Sequence, residues 1–143
     1  MRKVRADFQI EIDIDLSAIR AKRLHFAVGE VKYHCCERDK TRKGKLLYIK
    51  PVLTGDESVD VFNYEKKHAE FPHEPTSDQW FDEAQFESYR KLGAHSLAHL
   101  REKHELTLES LFEKAEKLHR HEVQKVHDEE KERARKDPFE TAR

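Results

Sequence analysis

Glycine is scarce here, with four in 143 residues, and that scarcity excludes a good deal of chemistry. Gly29, Gly44, Gly55 and Gly93 lie too far apart for a Gly-x-Gly-x-x-Gly turn or a phosphate-cradling loop. No two of them bracket a serine, as the Gly-x-Ser-x-Gly elbow of a serine hydrolase requires. They follow Val28, Lys43, Thr54 and Leu92, so there is no Asp-Gly pair either. Cysteine is limited to Cys35 and Cys36. Adjacent cysteines bridge each other only with strain, so reduced thiols are expected, and a redox or acylation site is the lesser reading. No apolar run is long enough to span a membrane. The basic start Met1-Arg-Lys-Val-Arg5 leads into an alternating pattern, not an apolar signal core. A cytoplasmic location is expected, with peripheral membrane contact as the alternative. Neither sign of charge dominates, with 28 Lys+Arg against 29 Asp+Glu. No global field gathers polyanions, and no nucleic-acid partner is expected.

What is present suits a small α+β fold. Charged residues make up 40% and hydrophobic ones 36%, enough for a modest core and a large solvated face. The length fits one domain or part of one. Over residues 7–16, Phe8, Ile10, Ile12, Ile14 and Leu16 alternate with Gln9, Glu11, Asp13 and Asp15. Period two predicts a strand with one buried face. Residues 24–33 and 45–50 predict two more strands, joined by a polar loop over 38–44 and stopped by Pro51. With no helix between them, the three pair antiparallel.

Helices follow. Thr54-Gly-Asp-Glu57 has the form of a capping box and predicts a helix from Asp56 to His68. The breaker Phe71-Pro-His-Glu-Pro75 comes next. Thr76-Ser-Asp-Gln79 repeats the capping pattern and predicts a helix carrying Trp80, Phe81, Ala84, Phe86, Tyr89 and Leu92, ended or kinked at Gly93. These aromatics fall on more than one face, which asks for partners on two sides, and on that packing Trp80→Ala should cost several kcal/mol. Residues 106–136 predict a long charged helix with a thin apolar stripe of Leu108, Leu111, Ala115, Leu118, Val123 and Val126. Glu113/Lys117, Glu116/Arg120, Glu129/Arg133 and Glu132/Lys136 are spaced for ion pairs along it. Beyond Val126 it should be solvated, ending at Asp137-Pro138.

Ten histidines invite a metal reading. His95, His99 and His104 have spacings that share a helical face, and His34, Cys35 and Cys36 are borderline-to-soft ligands. Without Cys-x-x-Cys or His-Glu-x-x-His, the preferred reading is a wet histidine-rich surface with no metal ligands and no cofactor. The basic loop Arg38, Lys40, Arg42, Lys43 and Lys45 offers contact with lipid headgroups but reads first as a solvated turn. Asp56, Glu57 and Asp78 read as helix-terminus charges, not as general acids or bases.

Three segments carry a resemblance. Ala27-Val-Gly-Glu-Val-Lys-Tyr33, Leu46-Leu-Tyr-Ile-Lys-Pro51 with Leu53-Thr-Gly-Asp-Glu57, and the block from Phe71 to Gly93 resemble the C-terminal region of bacterial patatin-like phospholipases. The likeness covers residues 7–95, with Pro75 where family members often have Ser and Trp80 where they often have Phe. It implies a 1–95 unit that flanks a larger α/β patatin-like fold, followed by a charged helical tail over 96–143. The family hydrolyses lipid acyl esters with a Ser-Asp dyad carried on Gly-x-Ser-x-Gly and Asp-Gly, both upstream of the matched region. No residue here inherits either role, so no catalytic residue is assigned. Asp78, Gln79, Gln85, Tyr89 and Arg90, the polar members of the most specific block, are expected to support the core or line the approach to it. The implied partner is the missing catalytic domain or a lipid surface. The competing reading is a non-catalytic interaction module that docks a partner through its charged C-terminal helix. A histidine-based metal protein is the third.

Overall fold

The computed structural model describes residues 10–33, 43–75, 77–101 and 107–136. In chain order the elements are β1 (Ile10–Ile14), α1 (Ser17–Arg20), β2 (Phe26–Tyr33), β3 (Lys43–Ile49), α2 (Val59–Glu65), α3 (Glu83–Ala98) and α4 (Leu108–Lys136). Phe8, His34, Cys35, Cys36, Arg38, Lys40, Arg42, Thr76, His104, Asp137 and Pro138 lie outside the described residues.

The alternating segments form an antiparallel sheet in the order β1-β2-β3. Ile12 faces Val31 and Ile14 faces Gly29 across one ladder. Val28 faces Leu47 and Phe26 faces Ile49 across the other. At Gly29 the outer strand comes close. A Cβ there would lie 2.8 Å from both the Asp13 carbonyl oxygen and the Ile14 Cβ. The one-turn helix α1 has no periodic signal. Asp15 Oδ1 accepts the Ser17 N–H at 2.8 Å and starts the turn.

Successive side chains of β2 point to opposite faces, and both faces are covered. Phe26 joins Ala18, Leu24, Leu100 and Ala115, with Val28, Leu47, Leu111, Leu118 and Val123 packed around them. Ala27 packs with Ile19 and Val52 beneath Ile14, Leu16 and Tyr48. The apolar stripe of α4 is therefore spent on the sheet. Leu108 does not join it and is 75% exposed. From Asp128 to Lys136 every residue of α4 is exposed. Of the expected pairs along this helix, Glu132–Lys136 forms at 2.6 Å. Glu116 instead reaches Lys45 at 2.7 Å, and Glu129 takes both oxygens to Arg23. These acids serve the contact between α4 and the rest of the fold.

A second layer forms where α2 meets α3. Val61, Tyr64, Phe71 and Leu92 bury one another, with Leu53 and Tyr89 alongside. Both predicted helix starts are corrected here. The first helix begins at Val59 and ends at Glu65, not over 56–68. The second begins at Glu83, capped by Asp82, whose side chain accepts the Gln85 N–H at 2.6 Å. It then runs through Gly93 to Ala98 without ending there. Residues 78–82 are not helical, so Trp80 belongs to the lead-in and is 92% exposed, with Phe81 at 53% and Phe86 at 63%. The expected large cost of Trp80→Ala is overturned, because the indole is not buried and its removal opens no cavity.

Candidate functional site

Two polar clusters sit at the ends of the helical layer. The first gathers around Glu74, in the turn before α3. Tyr89 donates to Glu74 Oε2 at 2.5 Å, Tyr64 donates to Oε1 at 3.3 Å, and the Gln85 amide reaches Oε2 at 3.3 Å. The same amide donates to Asp78 at 2.7 Å. Burial and the adjacent Glu74 carboxylate push both phenols up to about 12. Of the residues singled out in sequence, Asp78, Gln85 and Tyr89 thus meet in one network. Gln79 is exposed, and Arg90 points to solvent and pairs with Glu87 at 2.7 Å. Sequence reasoning missed the hub, Glu74, and its second phenol, Tyr64. The breaker motif hid Glu74, because a Pro-flanked turn reads as punctuation.

The second cluster lies where the start of β2, the loop after β3 and helix α3 converge. His25 precedes β2 and is 1% exposed. Asp56 and Glu57 stand on the loop, and His95 comes from α3. One ligand-capable atom from each of the four lies within 4.8 Å of the others. The His25 and His95 rings meet edge to face with centroids 5.1 Å apart. His95 Nε2 is 3.1 Å from Asp56 Oδ1. One turn further along, His99 Nε2 is 3.5 Å from Asp56 Oδ2.

Local backbone geometry builds this loop. Gly55 has φ +103°, a left-handed value that side chains resist, and it turns the chain so that Glu57 folds back. Glu57 accepts the Thr54 N–H at 2.5 Å and the Gly55 N–H at 3.0 Å. Thr54-Gly-Asp-Glu57 therefore makes the acid half of a capping box without starting a helix. Glu57 is 6% exposed. Burial opposes its ionisation, yet the N–H bonds prevail and hold its carboxyl below the ordinary range. The Thr54 hydroxyl, 2.6 Å from Asp56 Oδ1, keeps that carboxyl low as well, with help from His95. Thr54 Oγ1 also lies 3.2 Å from His25 Nε2. His25 Nδ1 is buried with no hydrogen-bond partner among the described residues. Burial, then neighbouring His95, pulls the His25 imidazole below its usual value. A neutral ring beside two carboxylates can donate a proton, accept one, or ligate a cation.

Of the sequence grouping of His95, His99 and His104, the first two rings do meet edge to face at 5.8 Å, and His104 lies outside the described residues. His95 also meets the ring of His25, seventy positions away in the chain. No spacing rule reaches that far. The basic loop is partly neutralised, with Lys43 bound to Glu30 at 2.9 Å and Lys45 to Glu116. No helix among the described residues is long and apolar enough to cross a membrane. Comparison with family profiles, with curated proteins and with solved structures finds no significant match to this chain.

Proposed function

We propose that this chain is a non-catalytic flank of a patatin-like lipid acyl hydrolase, and that it docks the catalytic α/β domain through the aromatic lead-in to α3. One observation carries the reading. Trp80, Phe81 and Phe86 stand 92%, 53% and 63% exposed within seven residues, inside the segment that most resembles the family. Isolated exposed apolar residues are ordinary, but exposed aromatics clustered this closely are typical of interaction surfaces. The Glu74 network behind them supports the same reading. Tyr89 carries Phe81 on its ring at 5.8 Å while its hydroxyl is held by Glu74, so the aromatic face rests on a rigid base. Docking through the charged helix is the weaker alternative, because the apolar stripe of α4 already packs on the sheet.

Two measurements test the proposal. The purified chain should hydrolyse no short-chain ester, since it lacks a Gly-x-Ser-x-Gly elbow. Turnover abolished by a serine-directed covalent inhibitor would overturn that half. For the docking half, the chain is co-produced with a catalytic domain of the patatin type encoded in the same genome. The pair should co-purify, and a Trp80→Ser, Phe86→Ser double variant should break the association while keeping its own circular dichroism spectrum. Co-purification unaffected by the double variant, or no association at all, refutes it.

A further inference from the structure

We propose that His25, Asp56, Glu57 and His95 bind one divalent transition-metal ion of the zinc class, as a staple joining the start of β2, the loop after β3 and helix α3. This proposal is independent of the docking reading, because none of the four residues belongs to the aromatic face.

The donor set comes first. Imidazole nitrogen and carboxylate oxygen are the ligands that, with thiolate, make up protein zinc sites, and such sites are four-coordinate and tetrahedral when structural. Bonds of about 2.0–2.2 Å place ligand atoms about 3.3 Å apart on the edges of the tetrahedron. The four candidate atoms already lie within 4.8 Å of one another. Small side-chain rotations close that gap, with no movement of the elements.

The electrostatics agree. Two carboxylates and two imidazoles meet with no Lys or Arg bonded to any of them among the described residues. Both carboxylates accept hydrogen bonds from the loop's own donors, and a divalent cation offsets their charge. The buried His25 Nδ1 has no hydrogen-bond partner among the described residues, and imidazole nitrogen is a common metal ligand. In the structure the Thr54 hydroxyl bridges three of the donors, contacting His25, Asp56 and Glu57. A metal ion replaces those contacts with shorter, stronger ones. Access is provided on one side only. Asp56 is 55% exposed and His99 49% exposed by side chain, while His25 and Glu57 close the inner wall. Four protein donors leave no open position, so the site is structural in type and not hydrolytic.

The test uses the full chain with Cys35→Ser and Cys36→Ser, so that the thiols do not compete for metal. Zinc chloride is titrated by calorimetry and cobalt chloride by absorption. The expected result is one equivalent bound, a rise in Tm reversed by chelator, and the intense visible bands of tetrahedral cobalt. His95→Gln and Asp56→Asn, both on the accessible side, should each abolish the stoichiometric event while keeping the apo circular dichroism spectrum. His121→Gln, on the exposed face of α4, should leave it intact. Uptake that never saturates at one equivalent overturns the proposal. So does uptake that survives His95→Gln, or octahedral cobalt bands.

Discussion

Two large aromatic residues, one in each layer of this molecule, meet opposite fates. In the sheet layer, Phe26 is wholly buried between α1 and α4. In the helical layer, Trp80 stands almost wholly in solvent a few residues before a helix that buries Leu92 completely. Both residues are large and apolar, so hydrophobicity does not separate them. Position within the element does. Phe26 opens a central strand and is enclosed from two directions, whereas Trp80 sits on an extended lead-in that no described element covers. Residue type shows what wants to be buried, and only the topology shows what is.

The largest test of that contrast is Phe26→Ala. It should cost about 3–5 kcal/mol, as a buried aromatic truncation does, and lower the midpoint of denaturant unfolding. A loss under about 1 kcal/mol would mean that the sheet–α4 core is not the main source of stability. A medium effect belongs to the Glu74 network. Both phenols have folded-state values near 12, raised above the ordinary tyrosine value of 10.0. A raised value means that the folded state keeps its protons longer than the unfolded chain. The stabilisation is complete below about pH 10 and is lost as the pH climbs toward 12. The Tyr64 and Tyr89 share of the tyrosinate absorbance should therefore rise late, together with unfolding, and a Tyr64→Phe, Tyr89→Phe double variant should flatten the alkaline loss of stability. Titration of Tyr64 and Tyr89 near pH 10 would contradict the network. The smallest effect is Trp80→Ala, expected to change stability by no more than about 0.5 kcal/mol. A loss of several kcal/mol would place the indole in a core that the structure does not have.

The sheet and the last helix were legible in the sequence because their signals are periodic. Alternation over Ile10, Ile12 and Ile14 marks the strand, although all three are only half-buried and so is Glu11, and the stripe through Leu111, Ala115 and Leu118 follows from packing one face on the sheet. The helix starts were not. Thr76-Ser-Asp-Gln79 predicts an earlier start, yet the cap is Asp82, whose side chain accepts the Gln85 N–H, while the Asp78 carboxylate accepts from the Gln85 amide. Thr54-Gly-Asp-Glu57 misled for a related reason. Its acid does fold back to the Thr54 N–H, but Gly55 turns left-handed and the helix waits until Val59. Of the polar residues chosen from the family-like block, Asp78, Gln85 and Tyr89 come together around Glu74. The His25–His95 meeting was beyond reach, since it depends on how α3 lies beside the sheet and not on any local spacing.

Gly29 has a consequence of its own. The strand beside it approaches so closely that even one methyl group would strike the neighbouring main chain at Asp13 and the Ile14 side chain. Any substitution there must lever β1 outward, and Ile14 and Leu16 would lift away from Ile19, Ala27 and Val52. One absent carbon atom thus lets β1 close on the sheet, and this position should be among the least tolerant of change in the protein.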